Sequence, residues 1–131
     1  MAEVFVVRSE DEWGTFLRSG KVFIVDFTAT WCGRCRSIDP VFDKYATRYS
    51  SITFLKVDVD ALSAVAEQFN ITTTPTFLVF VNGEKADEVV GAYQAKLLEL
   101  IQNGGEVLGV VDSDGEAVGV ADCNTQYKMK L

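Results

Sequence analysis

Short apolar runs alternate along the chain with stretches in which apolar residues recur every three or four positions, and this alternation predicts the secondary structure. Residues 3–7 are typical of a short strand, and Ser9 followed by Glu12 is a capping-box signature before a helix that carries Trp13. Residues 22–27, VFIVDF, form a nearly continuous apolar run, as in a central strand that is buried on both faces. The chain therefore begins with strand, helix and buried strand.

The middle of the chain repeats this order. Apolar residues at helical spacing predict a long helix over 33–49, with Pro40 inside it. Residues 52–59 predict another strand, and Asp60 is a candidate N-cap for the helix that follows. Strand and helix thus keep alternating as far as residue 70.

The pattern changes near the end, where two strands follow each other directly. Residues 76–81 and 84–90 are joined by Asn82-Gly83, a dipeptide that predicts a tight antiparallel hairpin. A last helix follows and is expected to end at Gly104, the first of two consecutive glycines. The order β-α-β-α-β-α-β-β-α calls for an α/β fold with a mixed sheet and helices on both faces.

Composition indicates one folded domain and excludes several classes of function. The chain has 131 residues, of which 48% are hydrophobic, enough for a single buried core. A net charge of -7 repels nucleic acids and anionic membranes, so neither is expected as a partner. Because the sequence has no His, it cannot form His general bases, Ser-His-Asp triads or imidazole zinc sites.

The start of the chain and its cysteine count indicate where the protein works. The first residues lack the pattern of a secretory signal, and no apolar run approaches the roughly 20 residues of a membrane-spanning helix. Three cysteines are too few for a disulfide scaffold. We therefore expect a soluble protein of the cytoplasm.

One motif carries redox chemistry: Trp31-Cys32-Gly33-Arg34-Cys35, between the buried strand and the first turn of a helix. Cysteines three residues apart on a helical turn lie close enough for a disulfide, so the pair can open and close reversibly. The positive end of the helix favours the thiolate of Cys32 and makes it the nucleophile. Cys35 lies deeper and resolves the mixed disulfide.

Two other interpretations of the cysteine pair are weaker. Half of a structural zinc site needs further soft ligands, but the chain offers only Cys123 and no His. A purely structural disulfide would close so short a loop that it would remove little entropy from the unfolded chain. Cys123 itself is expected to be incidental or, alternatively, to pair with a partner or a second copy.

Several separated motifs together resemble the thioredoxin family. VDFTATWCGRC, FLKVDVD, TTTPTFLVFVNG and Gly91 occur in the order and spacing typical of that family, over about residues 2–103. The resemblance implies a thioredoxin fold, with a central mixed five-stranded sheet flanked by four helices. It divides the chain into a thioredoxin domain, 1–103, and a C-terminal extension, 104–131, which could pair as a weak β-hairpin.

Asp26 stands in the middle of the apolar strand, where ionisation is costly and the pKa of a carboxyl should rise. By resemblance it is the family's buried proton relay, and Lys56 is the family's lysine near this carboxylate. Two alternatives stay open. Asp26 could anchor a loop through hydrogen bonds, and Lys56 could be a solvated lysine at a strand end.

The resemblance also implies a flat apolar rim that receives an extended segment of the substrate. It implies a cis peptide bond between Thr74 and Pro75, packed against the cysteines, which the residues themselves would not predict. For Trp31 the alternative is packing in the core. The substrate-binding positions are Trp31, Gly33, Arg34, Thr74, Pro75 and Gly91.

Arg34 departs from the family pattern, in which this position is commonly Pro, and Arg36 follows where Lys is usual. A cation beside Cys32 stabilises its thiolate and hence the reduced form, and the absence of proline removes a constraint on φ in the turn. We therefore predict a more oxidising couple than that of the common variant.

The function implied by the resemblance is reduction of protein disulfides. Electrons would come from an NADPH-dependent thioredoxin reductase, and no cofactor is expected besides the redox-active disulfide Cys32-Cys35. The alternative is a redox-sensitive thioredoxin-type subunit of a larger assembly, such as an axonemal dynein complex of a cilium or flagellum, docked through 104–131. A third and weaker alternative, a disulfide oxidase or isomerase, depends only on Arg34.

Overall fold

The computed structural model describes residues 4–108, with side chains through residue 104, so Cys123 and the hairpin predicted for the extension lie outside the described residues. Within the described part, every element predicted from the sequence is present in the predicted order. The strands are β1 (Phe5–Val6), β2 (Phe23–Thr28), β3 (Thr53–Asp58), β4 (Thr76–Val81) and β5 (Glu84–Val90). The helices are α1 (Glu10–Arg18), α2 (Gly33–Arg48), α3 (Ser63–Gln68) and α4 (Gln94–Leu108).

The strands form one mixed five-stranded sheet in the order β1-β3-β2-β4-β5. β3 is parallel to both β1 and β2, whereas β4 is antiparallel to β2 and to β5. β2 therefore lies at the centre of the sheet, which explains why its sequence is an almost continuous apolar run. The same position places Asp26 in the interior of the protein.

Alternate residues of β2 face the two halves of the core. Ile24 belongs to the cluster that contains Phe42 of α2, whereas Val25 belongs to the opposite cluster, which contains Trp13 of α1. Because side chains alternate along a strand, Asp26 points to the same side as Ile24 and faces α2. The helix that begins at the cysteine motif therefore covers the buried carboxyl.

Two local signals of the sequence are confirmed. Ser9 Oγ accepts a hydrogen bond from the backbone N–H of Glu12 at 3.1 Å and caps α1. Asn82 and Gly83 both have positive φ, 52° and 81°, as the tight hairpin requires. A Cβ atom at Gly83 would also lie 2.8 Å from the backbone oxygen of Leu17, so this turn needs glycine for space as well as for conformation.

The predicted N-cap at Asp60 is wrong. Helix α3 begins at Ser63, and its N-cap residue, Leu62, provides no side-chain hydrogen bond. The carboxylate of Asp58, at the end of β3, accepts hydrogen bonds from the backbone N–H groups of Asp60 and Ala61 instead. The turn is thus stabilised by the residue that starts it, which leaves the side chain of Asp60 free for another contact.

The predicted end of α4 at Gly104 is also wrong, because the helix continues to Leu108. Gly104 is buried, and a Cβ atom there would lie 3.7 Å from methyl groups of Val22, which directly precedes β2, and of Val79 in β4. The glycine therefore lies where the helix approaches the sheet closely. Packing of buried residues such as Leu100 outweighs the cost of about 1 kcal/mol for a glycine inside a helix.

Candidate active site

The two cysteines of the motif lie between the C-terminal end of β2 and the first turn of α2. Cys32 is the N-cap residue of α2, and its Sγ accepts a hydrogen bond from the backbone N–H of Cys35 at 3.2 Å. The two residues form a disulfide, with their Cα atoms 5.3 Å apart. The site is therefore described in its oxidised state.

The two sulfurs differ in their accessibility. Cys32 is 6% exposed and borders a groove on the surface, whereas Cys35 is 1% exposed and borders a separate cavity. Thiol–disulfide exchange requires an attacking sulfur to reach a particular sulfur of the disulfide. A group that arrives from the groove can therefore reach Cys32 more easily than Cys35.

The charges around Cys32 favour its thiolate in the reduced protein. The first turn of α2 contains no acidic residue, and its N-terminus carries the positive end of the helix dipole. Arg34 and Arg36 are exposed in the same turn, and Arg36 Nη1 donates a hydrogen bond to the backbone oxygen of Thr30 at 2.9 Å. This positive surface stands out in a protein whose net charge is -7.

The groove beside Cys32 has a volume of about 380 Å³ and an aromatic residue at its rim. Trp31 is 68% exposed, so its alternative assignment to the core is wrong. Its Nε1 donates a hydrogen bond to Asp60 Oδ2 at 2.9 Å, which fixes the indole ring at the rim. The groove is lined by Trp31, Cys32, Gly33, Arg34, Thr72, Thr73 and Thr74.

The remaining predicted substrate-binding residues lie next to this groove. The Thr74-Pro75 peptide bond is cis, as expected from the resemblance, and the backbone oxygen of Thr74 lies 3.6 Å from Cys32 Sγ. The backbone N–H of Gly91 donates to the oxygen of Pro75 at 2.8 Å. All six predicted substrate-binding positions are therefore connected to the disulfide, either as lining residues or through this chain of contacts.

Asp26 is fully buried, and neither of its carboxyl oxygens has a hydrogen-bond partner within the described residues. Asp26 therefore anchors no loop of the described part of the chain through hydrogen bonds. Burial, followed by the charge of Asp39, raises the pKa of Asp26 to about 8, although the positive charge of Lys56 acts in the opposite direction. At neutral pH this carboxyl is mostly protonated, and it titrates in a range suitable for proton transfer.

Lys56 lies beside Asp26, since the two are paired in the register of β2 and β3. Its Nζ lies 3.5 Å from Asp39 Oδ1, and the side chains are 21% and 33% exposed, so Lys56 is a partly buried ion-pair partner and not a solvated lysine at a strand end. Both residues border a cavity of about 260 Å³ on the far side of Cys35. This cavity is lined by Val6, Thr28, Ala29, Thr30, Cys35, Arg36, Asp39, Lys56 and Asp58.

Sequence reasoning missed three residues near the site: Asp39, Asp60 and Tyr93. Asp39 follows Cys35 by four residues, so helical spacing was the signal that it shares a face with the cysteine. The contact of Asp60 with Trp31 spans 29 residues, and no local pattern indicates it. Tyr93 is exposed, and its ring lies so close to Gly91 that a Cβ there would be 2.5 Å from Cε2.

Two classes of site are absent from the part of the chain that the structure describes. In residues 4–108 no group of His, Cys, Asp and Glu side chains could hold a metal ion. No helix in the same range is both long and apolar enough to cross a membrane.

Comparison with known proteins agrees with the geometry. The family model described as Thioredoxin matches residues 4–103. The chain is 46% identical to a thioredoxin of Coprinus comatus, over 76% of this chain and 95% of that relative. It is 48% identical to an H-type thioredoxin of Chlamydomonas reinhardtii, over 75% and 91%.

Solved structures give the same result. The crystal structure of a Malassezia sympodialis thioredoxin is similar with a TM-score of 0.76 and 40% identity, over 79% of this chain and 92% of that one. Neither these similarities nor the described geometry favours a subunit of an axonemal dynein complex. With its Cys32-Cys35 disulfide at the start of α2, the chain belongs to the thioredoxin family and is a thiol–disulfide oxidoreductase that reduces protein disulfides.

Proposed function

We propose that Cys32 is the attacking nucleophile and Cys35 the resolving thiol of a general protein-disulfide reductase. The observation that carries the assignment is the difference between the two sulfurs: Cys32 borders the groove at the helix N-terminus, and Cys35 is buried beneath it. A substrate can approach only the first of them directly, and the helix N-terminus favours its thiolate.

The reaction then proceeds in two exchanges. The Cys32 thiolate attacks one sulfur of the target disulfide, an S–S bond forms between them, and the second target sulfur leaves as a thiolate that takes a proton from water. Cys35 loses its proton, attacks Cys32 Sγ and releases the first target sulfur. Two electrons pass from the dithiol to the target, and the enzyme is left with the Cys32-Cys35 disulfide.

Asp26 accepts the proton that Cys35 loses, and the positive charge of Lys56 lowers the pKa of this carboxyl. The buried carboxyl on the α2 side of the sheet, which has no hydrogen-bond partner among the described residues, supports this role because it can change its charge near neutral pH. An NADPH-dependent thioredoxin reductase returns the disulfide to the dithiol. The cycle needs no metal or organic cofactor in this protein, and it runs in the cytoplasm.

Six residues hold the target segment at the groove. Trp31, fixed by Asp60, offers an aromatic face, and the exposed guanidinium of Arg34 attracts acidic segments. The backbone around Thr74 and Pro75 offers polar groups within reach of Cys32. The proposed substrate-binding residues are Trp31, Gly33, Arg34, Thr74, Pro75 and Gly91.

A trapping experiment tests the assignment. In Cys35→Ser the resolving thiol is missing, so targets from a cell extract should remain bound to Cys32 and be released by dithiothreitol. The matched variant Cys32→Ser should trap far less, since Cys35 is buried. Equal trapping by both variants would contradict the assigned roles.

The identity of the trapped proteins tests how general the reductase is. Many unrelated proteins would support a general reductant. One dominant partner, lost when residues 106–131 are deleted, would instead support the alternative of a dedicated subunit in a larger assembly.

A further inference from the structure

Asp39 forms an ion pair with Lys56, and the charges of both residues act on the buried carboxyl of Asp26. Asp39 lies on α2, four residues after Cys35, and therefore on the face of the helix that covers the sheet. Its Oδ1 atom lies 3.5 Å from Lys56 Nζ, and both side chains are partly shielded from solvent. An ion pair in such a place is screened less than one on the open surface.

Lys56 is the positively charged residue that pairs with Asp26 across β2 and β3. The two residues are register partners in neighbouring parallel strands, on the same face of the sheet. Nevertheless, neither carboxyl oxygen of Asp26 has a hydrogen-bond partner in the described part, while the ammonium group lies at Asp39. The lysine is thus directed towards the helix and the cavity.

We propose that Asp39 is a positioning residue for the dithiol: it holds the Lys56 ammonium away from Asp26 and thereby sets how readily Asp26 takes the proton of Cys35. The kinetic half of this inference rests on the proposed role of Asp26 in the reaction. The effect of Asp39 on the charge of Asp26 rests on the ion pair and on a carboxyl without a hydrogen-bond partner in residues 4–104, whatever Asp26 does in catalysis.

The surrounding charges agree with this role. After burial, the charge of Asp39 is the largest influence that raises the pKa of Asp26, Lys56 lowers that pKa, and Asp43 of α2 raises it less. From β4, the register partner of Asp26 is Phe77, which has no charge. The other charged groups that border the cavity are Arg36 and Asp58.

The substitution Asp39→Asn should lower the pKa of Asp26 in two ways. It removes a negative charge, and it frees Lys56 to approach the carboxyl, so the pKa of Asp26 should fall below its present value of about 8. A fall of about half a unit would raise the ionised fraction at pH 7 roughly 2.5-fold.

The first measurement is a carbon-13 NMR titration of the Asp26 carboxyl in the oxidised full-length protein. We expect the titration midpoint to fall in Asp39→Asn and to return towards the wild-type value in Asp39→Glu. Asp43→Asn is the matched control, because it removes a carboxyl from the same helix without touching the Lys56 pair; its shift should be smaller. A shift in Asp39→Asn no larger than in this control overturns the proposal.

The second measurement is the pH profile of target reduction. If Asp26 accepts the Cys35 proton, the rising limb should move to lower pH in Asp39→Asn, and this movement should vanish in the Asp26→Asn background. A titration midpoint that shifts without any movement of the profile would overturn the role of Asp26 in the proposed function and the kinetic half of this inference with it. An unshifted midpoint would overturn the role of Asp39 alone, so the two failures are distinguishable.

Discussion

Replacing Asp26 by asparagine should stabilise the protein more and more as the pH rises. The pKa of Asp26 is about 8 in the folded protein and about 4 in the unfolded chain. Below pH 4 both states hold the proton, so the carboxyl carries no penalty. Between these two pKa values only the unfolded state ionises, which favours unfolding, and above pH 8 the penalty is constant.

The size of this effect follows from the shift itself. A rise from 3.8 to about 8 is about four units, each of which corresponds to about 1.4 kcal/mol, so the penalty approaches a value on the order of 5 kcal/mol at high pH. The amide that replaces the carboxyl would carry no charge at any pH, and its own burial cost would not depend on pH. The difference in the free energy of unfolding should therefore grow with pH at about 1.4 kcal/mol per unit between pH 4 and 8.

Urea unfolding of the oxidised wild-type protein and of Asp26→Asn, at intervals from pH 4 to pH 9, measures this difference directly. Titration of groups remote from Asp26 affects both proteins alike and cancels in the difference. Asp11→Asn is the matched control, because it removes an exposed carboxyl from α1, far from the central strand, and we expect no such slope. A difference curve for Asp26→Asn that stays flat from pH 5 to pH 8 would refute the reasoning.

Three further predictions concern the site and the core. Arg34→Pro should make the reduction potential more negative, as measured by equilibration with glutathione; an equal or less negative potential would argue against the influence of the arginine on Cys32. Gly91→Ala should raise the KM for a protein target more than for a small aromatic disulfide, because its Cβ would displace the Tyr93 ring and its φ of 105° disfavours any side chain. Phe42→Ala should lower the free energy of unfolding by about 3–5 kcal/mol in urea, since the ring is fully buried.

Elements whose signals are local could be predicted from the sequence. The apolar run of β2, the Ser9 cap and the Asn82-Gly83 turn all depend on neighbouring residues, and all are confirmed. The continuation of α4 past Gly104 to Leu108 could not be predicted, because contacts of the helix with Val22 and with Val79 of β4 decide it. Tertiary packing overrides a propensity of about 1 kcal/mol.

In the candidate site, too, features with a local signal could be predicted, whereas features that depend on tertiary contacts could not. The sequence predicts the cysteine pair and a perturbed Asp26 from local chemistry, whereas the cis bond before Pro75 followed only from the family resemblance. The contacts of Trp31 with Asp60 and of Lys56 with Asp39 join residues 29 and 17 positions apart. Such contacts depend on how α2 packs on the sheet, and a single sequence carries no periodic signal for them.

The disulfide lies between the groove beside Cys32 and a cavity bordered by ionisable groups. The free-energy cost of the buried Asp26 carboxyl requires an explanation. A penalty on the order of 5 kcal/mol is comparable with the whole stability of a marginal small domain. A neutral residue would fill the same place in β2 without that penalty, and no described residue makes a hydrogen bond with the carboxyl that would compensate for it. Packing therefore gives no reason for a carboxyl at this position. The proton transfer that we propose gives such a reason, because a buried carboxyl with a pKa of about 8 can release and take a proton near neutral pH, whereas an exposed carboxyl would stay ionised.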